Sequence, residues 1–447
     1  MIAYRAAVVR PVTAPDVADG AVVVDGDRIA WVGAAPQAPA AEVRDLGNVA
    51  LGPGLVNAHT HLDLTLTRGL LDGLGFFEWI RALVAMKREA GSAALFLDSA
   101  RAGIREGLRH GVTTVADTSD NDAALLAMRA EGVRGVCYRE VFGPDPALAR
   151  PMLQALQAQV AAMRSLETER VRVGVSPHAS FSVSDTLYRA VAAWAREEGL
   201  PVAVHIAESP GESRLVRDAG GEWASYLRDV RGLAVVPRGR SPVALLESCD
   251  VLGQRTLLIH CVHVDDADIA TIAQHDCGVA HCPRSNAWFR HGASPVAALR
   301  AAGVRVGLGT DSVALLDGMD LLAEAEASAH LPAQPAPASG PAGATAARAA
   351  DLLRWATIDS AAALGLAARI GSLEVGKQAD LAAFPLPPRT PYAASVTDRT
   401  HDATFVAVAG AELVRDGRIV FPDNGLRERS EVHRTRLMEW RARNTAG

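Results

Sequence analysis

The chain has 447 residues, of which 49% are apolar, and its formal net charge is −6. This length suits either about three ordinary domains or one large α/β barrel with a small attached domain. The charge balance argues against a nucleic-acid partner, and five cysteines without a CxxC pair argue against a disulfide framework or a thiolate zinc site. We recognise no signal peptide and no membrane-spanning run, and therefore expect a cytoplasmic protein without a membrane partner.

Both ends of the chain carry patterns that predict β-structure. Residues 21–33 form two apolar runs around an Asp-Gly pair, which is typical of a hairpin, and residues 405–421 repeat this pattern. We therefore predict that the termini pair into one small β-sandwich, made of residues 1–50 and 368–447.

The middle of the chain, residues 51–367, alternates apolar β-runs with helical stretches. The runs that qualify as strands are 55–61, 112–117, 133–140, 171–178, 201–208, 256–263, 278–283 and 304–311. Eight βα units predict a (β/α)8 TIM barrel of the α/β class, in which the active site lies at the C-terminal ends of the strands. A Pro/Ala/Gly-rich stretch at 330–350 is typical of a flexible surface loop.

Two histidines, one residue apart, end the first barrel strand. Side chains i and i+2 of a strand point to the same side, so His59 and His61 aim at one point. A point shared by two imidazoles suggests a metal ion. The alternative, for such a pair taken alone, is a chance occurrence in a surface turn.

Further polar residues stand at the ends of the other predicted strands. They are Asp117, His178, His205, Glu208, His260, His263 and Asp311. His59, His61, His205 and Asp311 together offer three imidazoles and one carboxylate, a set that suits a divalent zinc ion and could also hold iron. Such a metal lowers the pKa of a bound water, from which Asp311 could accept a proton. The alternative for Asp311 is an ordinary turn residue within GTDS.

An acid and a further histidine complete the candidate catalytic set. Glu208 lies three residues beyond His205, and a carboxyl group in a partly dry barrel mouth is a candidate proton shuttle. The alternative is a solvated loop glutamate. We favour His260, directly at its strand end, as the residue beside the metal-bound water, and assign His263 a supporting or structural position.

The motifs PGLVNAHTHLD, HIAE, IHCVH, GLGTDS and GSLEVGKQADL together resemble the amidohydrolase superfamily, in particular its cytosine-deaminase-like and chlorohydrolase-like branch. The resemblance runs from about residue 2 to about residue 421 and implies a metal-dependent hydrolase on a TIM barrel, with a β-sandwich built from both termini. By this resemblance, the metal ligands are His59, His61, His205 and Asp311, and the catalytic acid/base pair is Glu208 and His260.

The scarcity of lysine bears on the number of metals. Members of the superfamily with two metals bridge them through a carboxylated lysine on a middle barrel strand. The only lysines here are Lys87, in a predicted helix after the first strand, and Lys377, near the C-terminal β-structure. We therefore expect one divalent metal per chain, which disfavours dihydropyrimidinase or dihydroorotase chemistry.

Within the single-metal branch, Glu208 favours hydrolytic deamination. Attack of hydroxide on an aromatic carbon that bears an amino group needs protonation of the adjacent ring nitrogen, and the amine must be protonated to leave as ammonia. Glu208 can carry both protons while His260 orients the hydroxide.

The substrate is indicated by two further resemblances. VSPHASFSVS resembles the segment of adenosine-type deaminases in which a histidine, here His178, meets the ribose, although those relatives read His-Ala-Pro-Tyr where this chain reads His-Ala-Ser-Phe. FFEWIRALVAMKRE and CPRSN resemble aminodeoxyfutalosine deaminases of menaquinone biosynthesis, whose substrate joins a 6-aminopurine nucleoside to a benzoate.

Four arginines are candidate partners for such a benzoate, because a guanidinium binds a carboxylate through two hydrogen bonds. They are Arg81, Arg88, Arg139 and Arg284. The alternative for each is a surface or packing role.

Other functions stay open at this point. The substrate is expected to be a small molecule, and a homodimer is compatible with the sequence. The enzymatic alternatives are a guanine, cytosine or triazine deaminase and a chlorohydrolase. The alternative outside enzymes is an inactive barrel that serves as a binding or structural protein.

Overall fold

The computed structural model describes residues 1–330, 349–386 and 402–444. Most of the loop predicted at 330–350 therefore lies outside the described residues. The strands of the described residues are β1 (Ile2–Val9), β2 (Val17–Asp25), β3 (Arg28–Ala34), β4 (Glu42–Asp45), β5 (Val49–Pro53), β6 (Leu55–Thr60), β7 (Val112–Ser119), β8 (Arg134–Val141), β9 (Val171–Pro177), β10 (Val202–Ile206), β11 (Thr256–His260), β12 (Gly278–His281), β13 (Arg305–Leu308), β14 (Leu381–Pro385), β15 (Phe405–Val408), β16 (Ala411–Arg415) and β17 (Arg418–Ile419).

The helices lie mostly between the strands of the middle region. They are α1 (Phe76–Ala90), α2 (Ala93–Arg109), α3 (Ala123–Glu131), α4 (Ala149–Arg164), α5 (Asp185–Glu198), α6 (Pro210–Asp218), α7 (Gly221–Ser225), α8 (Pro242–Ser248), α9 (Asp266–Gln274), α10 (Pro283–Trp288), α11 (Val296–Ala301), α12 (Leu321–His330), α13 (Ala349–Arg354), α14 (Ser360–Ala363) and α15 (Leu426–Asn444). None of the helices in the described ranges is long and apolar enough to cross a membrane.

Strands β6 to β13 form one parallel sheet in which each strand pairs with the next along the chain. The sheet curls until its two ends meet, where Asp311 N–H donates to the carbonyl of His59 at 3.0 Å. All eight strands predicted from the sequence are present, and the predicted (β/α)8 barrel is confirmed.

The barrel is packed on both faces because side chains alternate along each strand. The inner face carries small and branched residues, including Ala58, Ala116, Val136 and Ile259. The outer face carries larger apolar residues that pack against the helices. The interior is thus filled below the mouth, which leaves only the C-terminal strand ends to form a site.

The terminal segments form a separate sheet with the order β17-β16-β15-β14-β5-β1-β2-β3, and β4 adds to β1. Both predicted hairpins are present, since β2 pairs with β3 and β16 pairs with β17. In the second hairpin, Asp416 and Gly417 have φ values of 51° and 71°, as a two-residue turn between twisted strands requires.

The terminal sheet and the barrel are joined by a buried charge pair at the start of β8. Arg134 Nε donates to Asp380 Oδ2 at 2.7 Å, and its Nη2 donates to Gln378 Oε1 at 3.0 Å. The partners of Arg134 belong to the GKQADL motif, so this motif ties the C-terminal segment to the barrel wall.

The last helix, α15, lies against the barrel helices. Arg429 bonds to Asp98 of α2 at 2.8 Å, and Trp440 donates to Glu89 of α1 at 3.0 Å.

The division of the chain into two domains, residues 1–50 with 368–447 and residues 51–367, remains our proposal.

Candidate active site

Four side chains from three separated strands converge at the barrel mouth. Nε2 of His59, at the end of β6, lies 3.2 Å from Oδ1 of Asp311, which follows β13. Nε2 of His61 lies 3.5 Å from the same oxygen. The ring of His205, from β10, has its centroid 4.9 Å from that of His59. The fold therefore brings the four predicted residues together near one carboxylate oxygen of Asp311.

The backbone at two of the strand ends is strained. His260 has a φ of 76° and Asp311 a φ of 55°, in the left-handed region that residues other than glycine seldom adopt. Such conformations persist where the surrounding structure holds them, and they are common at functional sites. Here they turn both side chains out of the strand direction and into the mouth.

Hydrogen bonds fix the orientation of the rings. Nδ1 of His61 donates to the carbonyl of Thr118 at 2.8 Å, and Nδ1 of His260 donates to Oδ1 of Asn286 at 3.0 Å. Because Nδ1 of each ring is used in this hydrogen bond, Nε2 of the same ring remains for another contact. A fixed tautomer of this kind is a common support for histidines that bind a metal.

The donor set fits a divalent metal ion. Ligand atoms of His59, His205, His260 and Asp311 lie within 4.8 Å of one another. Imidazole with carboxylate is a donor set that divalent metal ions prefer. Since His260 joins the group, the choice of His59, His61, His205 and Asp311 as the ligands stays a prediction.

Opposed effects set the charge of the carboxylate in this cluster. Burial by itself would raise the pKa of Asp311, but the hydrogen bond from His59 and the neighbouring imidazoles hold that pKa well below its usual value. Burial lowers the pKa of His59 to about 4. Asp311 is thus held as an ionised carboxylate beside the neutral ring of His59, which is the protonation state that metal ligands need.

The side chain of Glu208 is buried beside the cluster. Its Oε1 lies 3.6 Å from Nε2 of His260. Burial raises the pKa of Glu208 to about 7, although the neighbouring His260 acts to lower it. A carboxyl group with a pKa near neutrality can both accept and donate a proton, so the geometry suits the predicted shuttle.

The acid Glu212 was missed in the sequence. Its Oε2 accepts the backbone N–H of Glu208 at 2.8 Å, and its Oε1 accepts the hydroxyl of Ser180 at 2.8 Å. Burial raises the pKa of Glu212 to about 7. The signal was the Ser-Pro-Gly-Glu segment that starts α6, a Ser-x-x-Glu pattern in which the glutamate reaches back to the preceding backbone.

His178 stands at the end of β9, next to the cluster. Its ring centroid is 4.9 Å from that of His205, and its Nδ1 lies 2.8 Å from the hydroxyl of Ser182. Its Nε2 is 4.0 Å from Oε1 of Glu140, a buried acid that we did not select from the sequence. The position fits a substrate contact, and that role of His178 stays a prediction.

Two of the four candidate arginines lie on α1 and already contact side chains of this chain. The guanidinium of Arg81 stacks over the rings of Phe77 and Tyr226, at 5.8 Å from each centroid. Arg88 is largely exposed and pairs with Glu89 at 3.2 Å. Their binding of a substrate carboxylate remains a prediction.

The other two arginines are also engaged. Arg139 shares the outer face of β8 with Cys137, and its Nε donates to Gln159 of α4 at 3.2 Å. Arg284, on α10, forms an ion pair with Asp317. Because side chains alternate along a strand, Arg139 faces outward and its neighbour Glu140 faces inward. The sequence alone did not show which of the two residues would face the mouth.

His291, after α10, also reaches the cluster and was missed. Its Nε2 lies 3.4 Å from Oε1 of Glu208. Its ring packs edge-on against Phe76 and stacks on Phe289, with centroids 4.7 Å and 5.5 Å away. No spacing rule links residue 291 to residue 208, because the loop after the seventh barrel strand brings them together.

An aromatic wall borders the mouth, formed by Phe76, Phe181, Trp223 and Phe289. Phe181 and Trp223 stack with centroids 3.9 Å apart, and Phe76 contacts both Trp223 and Phe289. Phe181 also meets His178 at 5.6 Å. Phe181 and Trp223 are buried, whereas Phe76 and Phe289 are partly exposed, so the apolar area left for a ligand lies at Phe76 and Phe289.

Both lysines have partners within the chain. Lys87 lies on α1 and pairs with Asp63 at 3.0 Å and with Asp120 at 2.6 Å. Lys377 bonds to Ser372 at 2.6 Å. The expectation of one metal per chain stays a prediction.

Comparison with known proteins gives a consistent set of relatives. The model of the amidohydrolase family matches residues 50–420. The chain is 32% identical to a 5-methylthioadenosine/S-adenosylhomocysteine deaminase from Moorella thermoacetica, over 83% of this chain and 82% of that relative. It is 36% identical to an aminodeoxyfutalosine deaminase from Deinococcus radiodurans, over 66% of this chain and 72% of that relative. An adenosine deaminase from Xanthomonas campestris with bound zinc superposes with a TM-score of 0.85 at 26% identity, over 98% of both chains.

Proposed function

The chain belongs to the amidohydrolase family and is a hydrolase that acts on C–N bonds, as its motifs indicated, and from this premise we propose that it deaminates purine nucleosides. The observation that carries the proposal is a buried acid, Glu208, next to a cluster of histidines and one aspartate. Relatives of more than 30% identity that are named as deaminases of adenine nucleosides support the same reaction.

A single divalent ion, zinc first and iron second, would be held by His59, His61, His205 and Asp311. When bound, it supplies an activated water molecule as the nucleophile. The neutral ring of His59 and the ionised Asp311 carboxylate match the charge state that this binding requires.

The chain's own residues move the protons in this proposal. Glu208 accepts a proton at a carboxylate oxygen from the attacking water and delivers it to the ring nitrogen beside the reacting carbon. It then takes the second proton from the oxygen that has been added to that carbon and delivers it to the amine, which leaves as ammonia. His260, held by Asn286, orients the water, and Glu212 fixes the backbone from which Glu208 projects.

We propose a 6-aminopurine nucleoside with an extended 5′ substituent as the substrate, with aminodeoxyfutalosine of menaquinone biosynthesis first. The aromatic wall supports an extended substituent, because packing of an aromatic group against the partly exposed rings of Phe76 or Phe289 buries apolar area. Because the four candidate arginines already have partners within the chain, we base the extended substituent on apolar contact with the aromatic wall and not on an arginine–carboxylate contact. A methylthio or homocysteine group at the same position is the second candidate, supported by the first relative above.

A comparison of nucleosides tests the proposal. Ammonia release and the absorbance change from adenine to hypoxanthine are followed for adenosine, 5′-methylthioadenosine, S-adenosylhomocysteine and aminodeoxyfutalosine. We expect kcat/KM for an extended nucleoside to exceed that for adenosine at least about tenfold, which corresponds to about 1.4 kcal/mol of transition-state binding. Turnover of guanine, cytosine or a triazine, with no reaction of any adenine nucleoside, would overturn the substrate class.

The reduced state of the cysteines supports a cytoplasmic location. All five cysteines are buried and free, including Cys261 and Cys282 next to the site. Free thiols are typical of proteins that work in a reducing compartment. We therefore propose the cytoplasm as the site of action.

A further inference from the structure

Glu208 is flanked by two imidazoles, and the roles described above use only one of them. On one side is His260, at 3.6 Å, and on the other is His291, at 3.4 Å, both measured from ring Nε2 to Oε1 of Glu208. His291 lies on the loop after α10, so it reaches the carboxyl group from a different part of the barrel mouth.

The ring of His291 is fixed by its surroundings. Only 5% of the residue is exposed, and Phe76 and Phe289 cover two sides of the ring. Its backbone N–H donates to the carbonyl of Asn286 at 2.9 Å, and the side chain of Asn286 holds His260. The two rings beside Glu208 are therefore both anchored to Asn286.

The Nε2 atom of His291 lies close to Glu208 but has not reached hydrogen-bond geometry. Nε2 of His291 is buried and has no hydrogen-bond partner among the described residues. The distance of 3.4 Å to Glu208 is a few tenths of an ångström beyond the usual N–H···O range of about 2.7–3.2 Å. A small shift of either side chain closes the contact, and a buried donor without a partner favours that shift.

We propose that His291 is a positioning residue for Glu208. Its Nε2–H donates to Oε1 of the carboxylate and fixes the rotamer, which leaves Oε2 to exchange protons with water and substrate. The inference rests on the proposed role of Glu208, but it concerns an interaction within the chain and does not depend on which nucleoside is used.

Three variants separate this role from packing. His291→Phe keeps an aromatic ring between Phe76 and Phe289 but removes the donor. His291→Gln restores an N–H of similar reach without the ring. His275→Phe is the matched control, since His275 and Glu247 form a similar pair at 3.3 Å on the surface, away from the mouth.

The expected kinetic result is a split between kcat and KM. On whichever C–N substrate the wild type turns over, His291→Phe should lower kcat about tenfold to a hundredfold with KM within about threefold, because a misplaced general acid/base loses part of its contribution. His291→Gln should recover most of the loss, and His275→Phe should match the wild type. Wild-type kcat in His291→Phe, an effect confined to KM, or equal loss in the Phe and Gln variants would each overturn the proposal.

A second readout needs no substrate. The carboxyl band of Glu208 is identified as the infrared difference between the wild type and Glu208→Gln, both loaded with zinc. In His291→Phe this band should shift, because its hydrogen bond is lost, while zinc content stays the same. An unchanged band would overturn the inference even if the chain proves to act on another substrate. A shifted band without turnover of any adenine nucleoside would instead reject the proposed function alone.

Discussion

At the level of single residues, burial determines which groups at the mouth carry charge. The same loss of water that raises the pKa of Glu208 to about 7 lowers that of His178 to about 3 and that of His291 to about 4. Both rings are therefore neutral at pH 7, whereas Glu208 sits near the midpoint of its titration, as does Glu212. Because both carboxylate oxygens of Glu212 already accept hydrogen bonds from Glu208 and Ser180, we propose Glu208 as the proton shuttle and the histidines as its supporting contacts.

The first prediction concerns Glu208→Gln. An amide of the same shape keeps the packing but cannot exchange protons, so we expect kcat to fall by about 10²–10⁴-fold with an unchanged metal content. Steady-state kinetics and elemental analysis of the same preparation check this. Near-normal kcat in the variant would reject the deaminase mechanism and bring the chlorohydrolase alternative forward.

At the level of secondary-structure elements, a buried ion-pair cluster holds α1 over the barrel mouth. Lys87 of α1 reaches Asp63, after β6, and Asp120, after β7. Burial acts to raise the pKa of Asp120, but the ammonium of Lys87 holds it below its usual value. Lys87 thus ties the helix that carries Phe76 and Arg81 to the loops after β6 and β7.

The second prediction is that Lys87→Met destabilises the fold in a pH-dependent way. The change removes the cation beside the buried Asp63 and the part-exposed Asp120, while Asn121 still donates to both, so we expect a loss of about 1–3 kcal/mol in the free energy of unfolding at pH 7.5. In the variant, the two acids have a raised pKa in the folded state and take up protons as the pH falls. The difference from the wild type should therefore shrink between pH 7.5 and pH 5. Denaturant titrations at both pH values measure it, and a pH-independent difference would contradict the account.

The third prediction tests the link between the two sheets. Arg134→Lys removes the two-pronged contact with Asp380 and the bond to Gln378, so we expect a loss of about 2–4 kcal/mol in the free energy of unfolding. The matched control is Arg139→Lys on the same strand, where the contact with Gln159 is exposed, and it should change stability by less than about 0.5 kcal/mol. Equal stability of the two variants would show that the buried pair does not hold the sheets together.

At the level of the whole molecule, the sequence predicted the barrel strands and the histidines and aspartate that meet at the mouth. It did not predict the contacts that the loops make there. Strand positions follow from apolar runs, and His59 with His61 follows from the period of two along a strand. Glu140 and His291 escaped prediction because their neighbours are set by strand orientation and by a loop path, whereas Glu212 carried a local Ser-x-x-Glu signal. The inward turn of Glu140 in place of Arg139 depends on a one-residue register that composition does not specify.

The last prediction is that one divalent ion per chain stabilises the whole molecule. Its four predicted ligands come from β6, from β10 and from the residue after β13, so binding ties the two ends of the barrel sheet together. At a free metal concentration about 1,000 times the Kd, linkage gives about 4 kcal/mol of added stability. Removal by a chelator should therefore lower Tm and abolish activity, and zinc should restore both. His59→Ala should show the low Tm with or without zinc.

A second group of donors, Glu140, His178 and His205, shares His205 with the first. Two metals per chain by elemental analysis, with one lost in Glu140→Ala, would overturn the single-metal assignment.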